Sequence, residues 1–162
     1  MSESLRALAQ RTGEALQRAG LMLATAESCT GGGIAAAVTD IPGSSGWLDR
    51  GFVVYSNDSK VELLGVDPAL LRTDGAVSEA VVRAMTAGAL AHSRADVAVA
   101  VSGVAGPGGG SPEKPVGTVC LAWQRRGAAP VVQTMLFHGN RDEVRAHTVY
   151  RALEGVLQLL HA

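Results

Sequence analysis

The chain has 162 residues, the size of a single domain with one core, and its 14 Lys and Arg against 15 Asp and Glu leave a net charge of −1 with His neutral. With no basic excess to neutralise a run of phosphates, nucleic acid is not expected as the main partner. At 47% hydrophobic and 18% charged the sequence is too apolar for disorder, yet no apolar run approaches the roughly 20 residues that cross a bilayer, so no membrane partner is expected.

From Ser4 to Ala19 the residues Leu5, Leu8, Ala9, Ala15 and Leu16 recur at helical spacing and the run stops at Gly20, which predicts an amphipathic opening helix. Leu21 to Ala26 reads as a short strand. Gly31 to Thr39 follows as a helix whose Ala35, Ala36 and Ala37 suit close packing on a sheet, and strand, turn and helix in that order make an α/β unit. Phe52-Val53-Val54-Tyr55 reads as a second strand, and the cap cluster Ser56-Asn57-Asp58 starts a short helix through Leu64 that Gly65 stops. A helix from Ser78 to about Ala91, with Val82, Met85 and Ala89 on one face, precedes Val97-Ala98-Val99-Ala100-Val101, an unbroken apolar run typical of a central strand covered on both sides. Val116 to Trp123 and Pro130 to Phe137 flank the polar turn Gln124-Arg125-Arg126-Gly127 and predict an antiparallel hairpin. The last helix, Arg141 to Leu160, is capped by Asn140 and carries Val149, Ala152, Leu153, Val156, Leu157 and Leu160 on one stripe. There is no internal repeat, linker or low-complexity tail. The expected fold is α/β: one domain over residues 1–162, a three-layer α/β/α sandwich around a mixed, mostly parallel sheet of about five strands.

Of the 20 glycines, eight gather in Gly31 to Gly33 and Gly103 to Gly110, where backbone must turn sharply or approach something closely. The first cluster belongs to Thr25-Ala26-Glu27-Ser28-Cys29-Thr30-Gly31-Gly32-Gly33, at the carboxyl end of a predicted strand and the start of a predicted helix, where open α/β sheets place ligands. Unpaired N–H groups there suit a phosphate or the oxyanion of acyl transfer, with Gly31 and Gly32 leaving the approach clear. Equally, Ser28 or Thr30 can simply cap the helix. The stretch is neither a Gly-x-Ser-x-Gly elbow nor a Walker pattern. Tyr55 and Lys60 stand at the end of the next strand and in the first turn of the helix after it. The positive end of the helix dipole, with partial burial, pushes the Lys60 ammonium toward the neutral amine that takes a serine proton in Ser–Lys hydrolases, and Tyr55 can relay or orient. The bland alternative is a solvated lysine beside a packed tyrosine.

The remaining features carry less. Ser111-Pro112-Glu113-Lys114 spells Ser-x-x-Lys, but Pro112 and Pro115 keep it off a helix start. His92, His138, His147 and His161 are scattered without metal-ligand spacing, so no metal is expected. Cys29 at a helix start is a rival nucleophile, although it and Cys120 are most simply small buried apolar residues. Two cysteines and no signal-peptide core favour the cytoplasm. Ser102-Gly103-Val104-Ala105-Gly106-Pro107-Gly108-Gly109-Gly110 forms a second rim loop with the makings of an anion nest. Arg141 and Arg145, at i and i+4, suit a phosphate as well as they suit a surface pair beside Asp142 and Glu143.

These residues resemble the family of the C-terminal domain of the competence and damage-inducible protein CinA, found also as a stand-alone nicotinamide-nucleotide amidohydrolase. The resemblance spans nearly the whole chain: Thr25 to Gly32, Pro42-Gly43-Ser44-Ser45, Val54-Tyr55-Ser56-Asn57 with Lys60, Leu64-Gly65-Val66, Gly75-Ala76-Val77-Ser78-Glu79, and Ser102 to Pro107 leading to Lys114-Pro115-Val116-Gly117-Thr118-Val119. It implies hydrolysis of the carboxamide of nicotinamide mononucleotide to nicotinate mononucleotide and ammonia, with no metal or cofactor. It also implies a serine nucleophile at Ser28, a lysine base at Lys60 and a tyrosine third member at Tyr55, while Ser45, Ser102 and Arg141 match polar positions near the pocket. Asp74 stands where many such relatives carry histidine. The larger relatives' N-terminal pyrophosphatase-type domain is not expected here, because the opening helix begins almost at Met1. A non-catalytic nucleotide-binding module of the same fold is the alternative. A small apolar domain is also expected to self-associate as a homo-oligomer.

Overall fold

A computed structural model describes residues 3–162. Among them the elements run α1 (Leu5–Ala19), β1 (Leu23–Glu27), α2 (Gly33–Thr39), a 3-10 turn (Ser44–Gly46), β2 (Leu48–Val53), α3 (Asn57–Leu64), α4 (Pro68–Asp74), α5 (Glu79–Ala91), β3 (Val97–Gly103), β4 (Thr118–Arg125), β5 (Val131–Leu136) and α6 (Arg141–Leu160). The strands form one sheet in the order β2-β1-β3-β4-β5. β1 pairs parallel with both β2 and β3, and the β3–β4 and β4–β5 pairings are antiparallel, so β4 alone runs against the other four.

Side-chain size alternates along the inner strands and sorts the two helical layers. Leu23, Val97, Val99, Val101, Val119, Leu121 and Trp123 face a core shared with α1, α2 and α6. On the opposite face Ala24, Ala26, Ala98, Ala100, Cys120 and Ala122 meet α5 and the end of α3. Small residues on that face let α5 lie close to the sheet, as close packing demands. α5 is in turn tight against α3: a Cβ at Gly88 would run into the carbonyl of Leu64.

The expected helices and strands are present, with instructive shifts. α6 matches its expected bounds and adds a reciprocal capping box, Glu143 N–H to the Asn140 side chain and Asn140 N–H to the Glu143 side chain. The second strand ends at Val53 and begins at Leu48, earlier than its apolar signal, because β2 is a sheet edge and tolerates Asp49 and Arg50 there. α4, not anticipated, has a plain signature in hindsight: Asp67 caps it and Pro68 occupies its first turn.

From β1 the chain passes through α2 to β2 on one side, whereas β3 continues to β4 on the other. The carboxyl ends of β1 and β3 therefore bracket a topological switch point, where open α/β sheets form a crevice.

Candidate active site

Ser28 follows the last residue of β1 and stays in register with β3 through its N–H on the Val101 carbonyl, 3.1 Å. It does not cap α2. That task falls to Glu27, a fully buried side chain whose Oε1 accepts from the Ile34 N–H (2.8 Å) and the Thr30 hydroxyl, and whose Oε2 accepts from the Ala35 N–H (3.0 Å). The helix starts late, after Gly31 and Gly32 at φ +58° and +98°, a left-handed turn only glycine adopts freely. The strand-end carboxylate thereby satisfies the α2 amides and leaves the Ser28 hydroxyl available.

Lys60 lies in α3, whose N-cap is Ser56. Its side chain runs inward to 1% exposure, and Nζ lies 3.1 Å from Ser28 Oγ, 2.9 Å from the Val54 carbonyl and 3.2 Å from the Tyr55 carbonyl. Among the described residues Lys60 enters no ion pair; those found join Arg11 to Glu3, Arg50 to Asp49 and Arg151 to Glu154. Burial pushes the Lys60 pKa below its ordinary value, against a smaller upward pull from Cys29. The coordination suits the neutral amine: two N–H groups serve two carbonyls and the lone pair remains for the Ser28 proton.

Ser28, Tyr55, Lys60, Ser102 and Arg141 all border one cavity of about 260 Å³, together with Cys29, Asn57, Ala76, Val77, Gly103 and Ala105. Beyond Arg141 and Ala105, which wall both, a second hollow of about 460 Å³ opens against Pro107, Val116 and Asn140. The first alone falls just under the roughly 300–1,000 Å³ of small-molecule sites; the two together are well within it. Arg141 Nη1 donates to the Gly106 carbonyl at 2.8 Å and so anchors the second rim loop. Lys114 Nζ, on the far part of that loop, donates to the Asp74 carbonyl at 2.8 Å.

Two expectations need correction. Ser45 is exposed in the 3-10 turn that precedes β2, and because β1 and β2 are parallel this is the opposite end of the sheet from Ser28. Gly31 and Gly32 do not border the cavity, and the Gly31 N–H is already donated to the Ser28 carbonyl at 3.1 Å, so it is not free for an oxyanion. Tyr55 meets the dyad through its carbonyl, which also lies 3.4 Å from Ser28 Oγ, while its side chain is 64% exposed at the cavity rim. Burial pushes the Cys29 thiol up to about 11, which argues against the rival thiolate nucleophile. Sequence reasoning missed the two carbonyls on Lys60, which leave no side-chain signature, and the capping role of Glu27. Among the described residues no group of three His, Cys, Asp or Glu is placed to hold a metal ion, and no helix is long and apolar enough to cross a membrane.

Against this geometry, the sequence profile of the CinA C-terminal domain matches residues 5–160. A protein of Pseudomonas putida named nicotinamide-nucleotide amidohydrolase PncC is 56% identical over 152 residues, covering 94% of each chain. A putative competence-damage inducible protein of Symbiobacterium thermophilum is 53% identical over 161 residues; 94% of this chain is covered, but only 38% of that longer relative. In three dimensions the chain is similar to the crystal structure of competence/damage inducible protein CihA from Agrobacterium tumefaciens, at 49% identity and a TM-score of 0.94 over the whole of both chains.

Proposed function

The chain belongs to the family of the CinA C-terminal domain, and from that premise we propose that it is an amide hydrolase converting nicotinamide mononucleotide to nicotinate mononucleotide and ammonia, and so recycling a pyridine nucleotide. The observation that carries the reading is Lys60 Nζ at 3.1 Å from Ser28 Oγ, buried and without a carboxylate partner among the described residues. The name of the Pseudomonas putida relative supports the substrate.

In the proposed reaction neutral Lys60 takes the Ser28 proton as Oγ attacks the carboxamide carbon. The tetrahedral oxyanion collapses, the C–N bond breaks, and the Lys60 ammonium returns the proton to the departing nitrogen, which leaves as ammonia. Water then gives a proton to Lys60 and attacks the acyl-serine; the C–Oγ bond breaks and Ser28 recovers its proton, leaving the acid. The Val54 and Tyr55 carbonyls hold Lys60 in place through both half-reactions. The substrate phosphate belongs beside Arg141, where the two hollows meet. No metal or cofactor takes part in this scheme. Two free buried thiols, Cys29 and Cys120, suit the reducing cytoplasm. The edge strands, with Val53 on β2 and Val131 and Leu136 on β5 uncovered, are where the expected homo-oligomer would form.

The test is ammonia release from nicotinamide mononucleotide by the parent, Ser28→Ala and Lys60→Ala. The expected outcome is turnover by the parent alone; undiminished turnover in either variant rejects the dyad, and saturable binding by a parent that releases no ammonia supports a non-catalytic module.

A further inference from the structure

Arg145, on the face of α6 turned toward the Ser28 turn, donates from Nε to the Cys29 carbonyl at 3.1 Å and from Nη2 to the Thr30 carbonyl at 3.2 Å. It is half-buried and enters no ion pair among the described residues, so its positive charge rests on backbone. The peptide whose carbonyl is Thr30 O carries the Gly31 N–H on its other side, and that N–H donates to the Ser28 carbonyl at 3.1 Å. The peptide whose carbonyl is Ser28 O in turn carries the Cys29 N–H. Among the described residues that amide donates to no backbone carbonyl and lies only against its own residue's thiol, and Cys29 borders the cavity beside Ser28. Guanidinium, Thr30–Gly31 peptide and Ser28–Cys29 peptide thus form one series of hydrogen bonds, each polarised in the same sense, that ends on a residue bordering the cavity.

We propose that Arg145 is a positioning residue that acts on the reaction through this turn, holding and polarising the Cys29 amide as the donor to the oxyanion formed on the scissile carbonyl. The inference rests on the acyl-transfer reading above. Hydrogen bonds in series strengthen one another, and a donor aimed at developing charge counts most in the transition state. The Gly31 N–H closes the turn onto Ser28, and the left-handed φ of +58° at Gly31 then sends the chain on toward α2. The same placement explains why this arginine does not serve as the phosphate clamp its spacing from Arg141 suggested. Arg141 holds one rim loop and Arg145 the other, each by carbonyls.

The test compares the parent with Arg145→Ala and Arg145→Lys, reading kcat and KM for ammonia release and, independently of that substrate, the rate at which p-nitrophenyl acetate acylates Ser28, followed by mass. Arg145→Ala is expected to lose about tenfold or more in kcat and in acylation rate, with KM and the pH midpoint of kcat unchanged because Lys60 is untouched. Added guanidinium ion restores part of the loss and sodium at equal ionic strength does not; Arg145→Lys, which keeps charge and stem, loses less. Thermal melting reports whether each variant is folded, and if the alanine variant is not, the lysine variant decides by a loss of at least about twofold. A rise in KM at unchanged kcat, a shifted pH midpoint, or parental rates in a folded variant overturns the role. A parent that is acylated yet releases no ammonia overturns the amide reading alone, and the acylation rates still judge Arg145. A parent that does neither overturns both.

Discussion

Glu27 and Ser28, neighbours in the chain, divide the end of β1 between them: the carboxylate turns into α2 and takes its amides, and the hydroxyl turns to Lys60. A serine at such a position ordinarily caps the helix, and here the cap comes from one residue earlier because two left-handed glycines delay the helix start. Glu27→Ala should therefore cost stability, roughly 1–3 kcal/mol, since the Ile34 and Ala35 amides and the Thr30 hydroxyl lose a buried acceptor. It should also lower kcat, because the turn that follows Ser28 loses the carboxylate that holds Thr30 and the start of α2. Urea denaturation midpoints and ammonia release measure the two effects, and Glu27→Asp, too short to reach both amides, should lie between.

Lys60 links activity to pH in a definite direction. As the proposed base, Lys60 must be neutral, so kcat should rise with pH through a pKa that burial holds below the ordinary lysine value. The unfolded chain keeps its proton to higher pH than the folded one. Stability therefore rises with pH between the folded and the unfolded pKa, and this contribution is lost as pH falls through the folded value. Lys60→Met should abolish turnover, a loss of roughly 10²–10⁴-fold, while flattening that rise and leaving the protein at least as stable as the parent at neutral pH. Denaturation midpoints at pH 7 and pH 9.5, set beside the kcat profile, check both halves.

Ser45 and Ser102 part company once the sheet is in view. Ser45→Ala should leave kcat and KM within about twofold, as for an exposed residue outside the site. Ser102 is buried at the end of β3 and borders the cavity, so Ser102→Val, which fills space and removes a hydroxyl, should raise KM about tenfold, equivalent to 1.4 kcal/mol. Steady-state kinetics on the two variants decide.

The parts of this fold that were legible in the sequence are those where one local pattern is sufficient. α6 has a cap, a stripe and a length that agree, and β3 has five apolar residues that only a sheet covered on both sides accommodates. Ser28 and Lys60 were legible because each sits at the junction of a strand end and a helix start, where parallel topology brings carboxyl ends to one rim. Ser45 misled because a resemblance in local sequence does not say which end of a sheet a turn occupies; that depends on strand direction, which is settled only when β1 and β2 pair. The cause of the Lys60 shift was also only partly legible. A helix-dipole argument could be made from position, whereas burial to 1% exposure arises only when the end of β1 and the Val54–Tyr55 segment close on the Lys60 amine.

The packing of α5 on α3 makes Gly88 an exacting position outside the site. Alanine in place of glycine within a helix ordinarily gains about 1 kcal/mol. At Gly88 the added methyl would meet the carbonyl and Cβ of Leu64, of which the carbonyl is backbone and cannot rotate away. Overpacking of this kind costs about 1–3 kcal/mol, so Gly88→Ala should be neutral to destabilising by up to about 2 kcal/mol, against the sign of helix propensity. The strain should also reach the chemistry. Leu64 stands one turn beyond Lys60 in α3, and the Lys60 carbonyl accepts from the Val66 N–H just past that helix end. Displacing the end of α3 moves Lys60 relative to the Val54 and Tyr55 carbonyls, which are held on the strand side by the Val54 N–H on the Glu27 carbonyl at 2.8 Å. The expected result is a kcat lowered more than KM is raised. A Gly88→Ala protein more stable than the parent and with full turnover would mean that α5 does not press on α3 at this point.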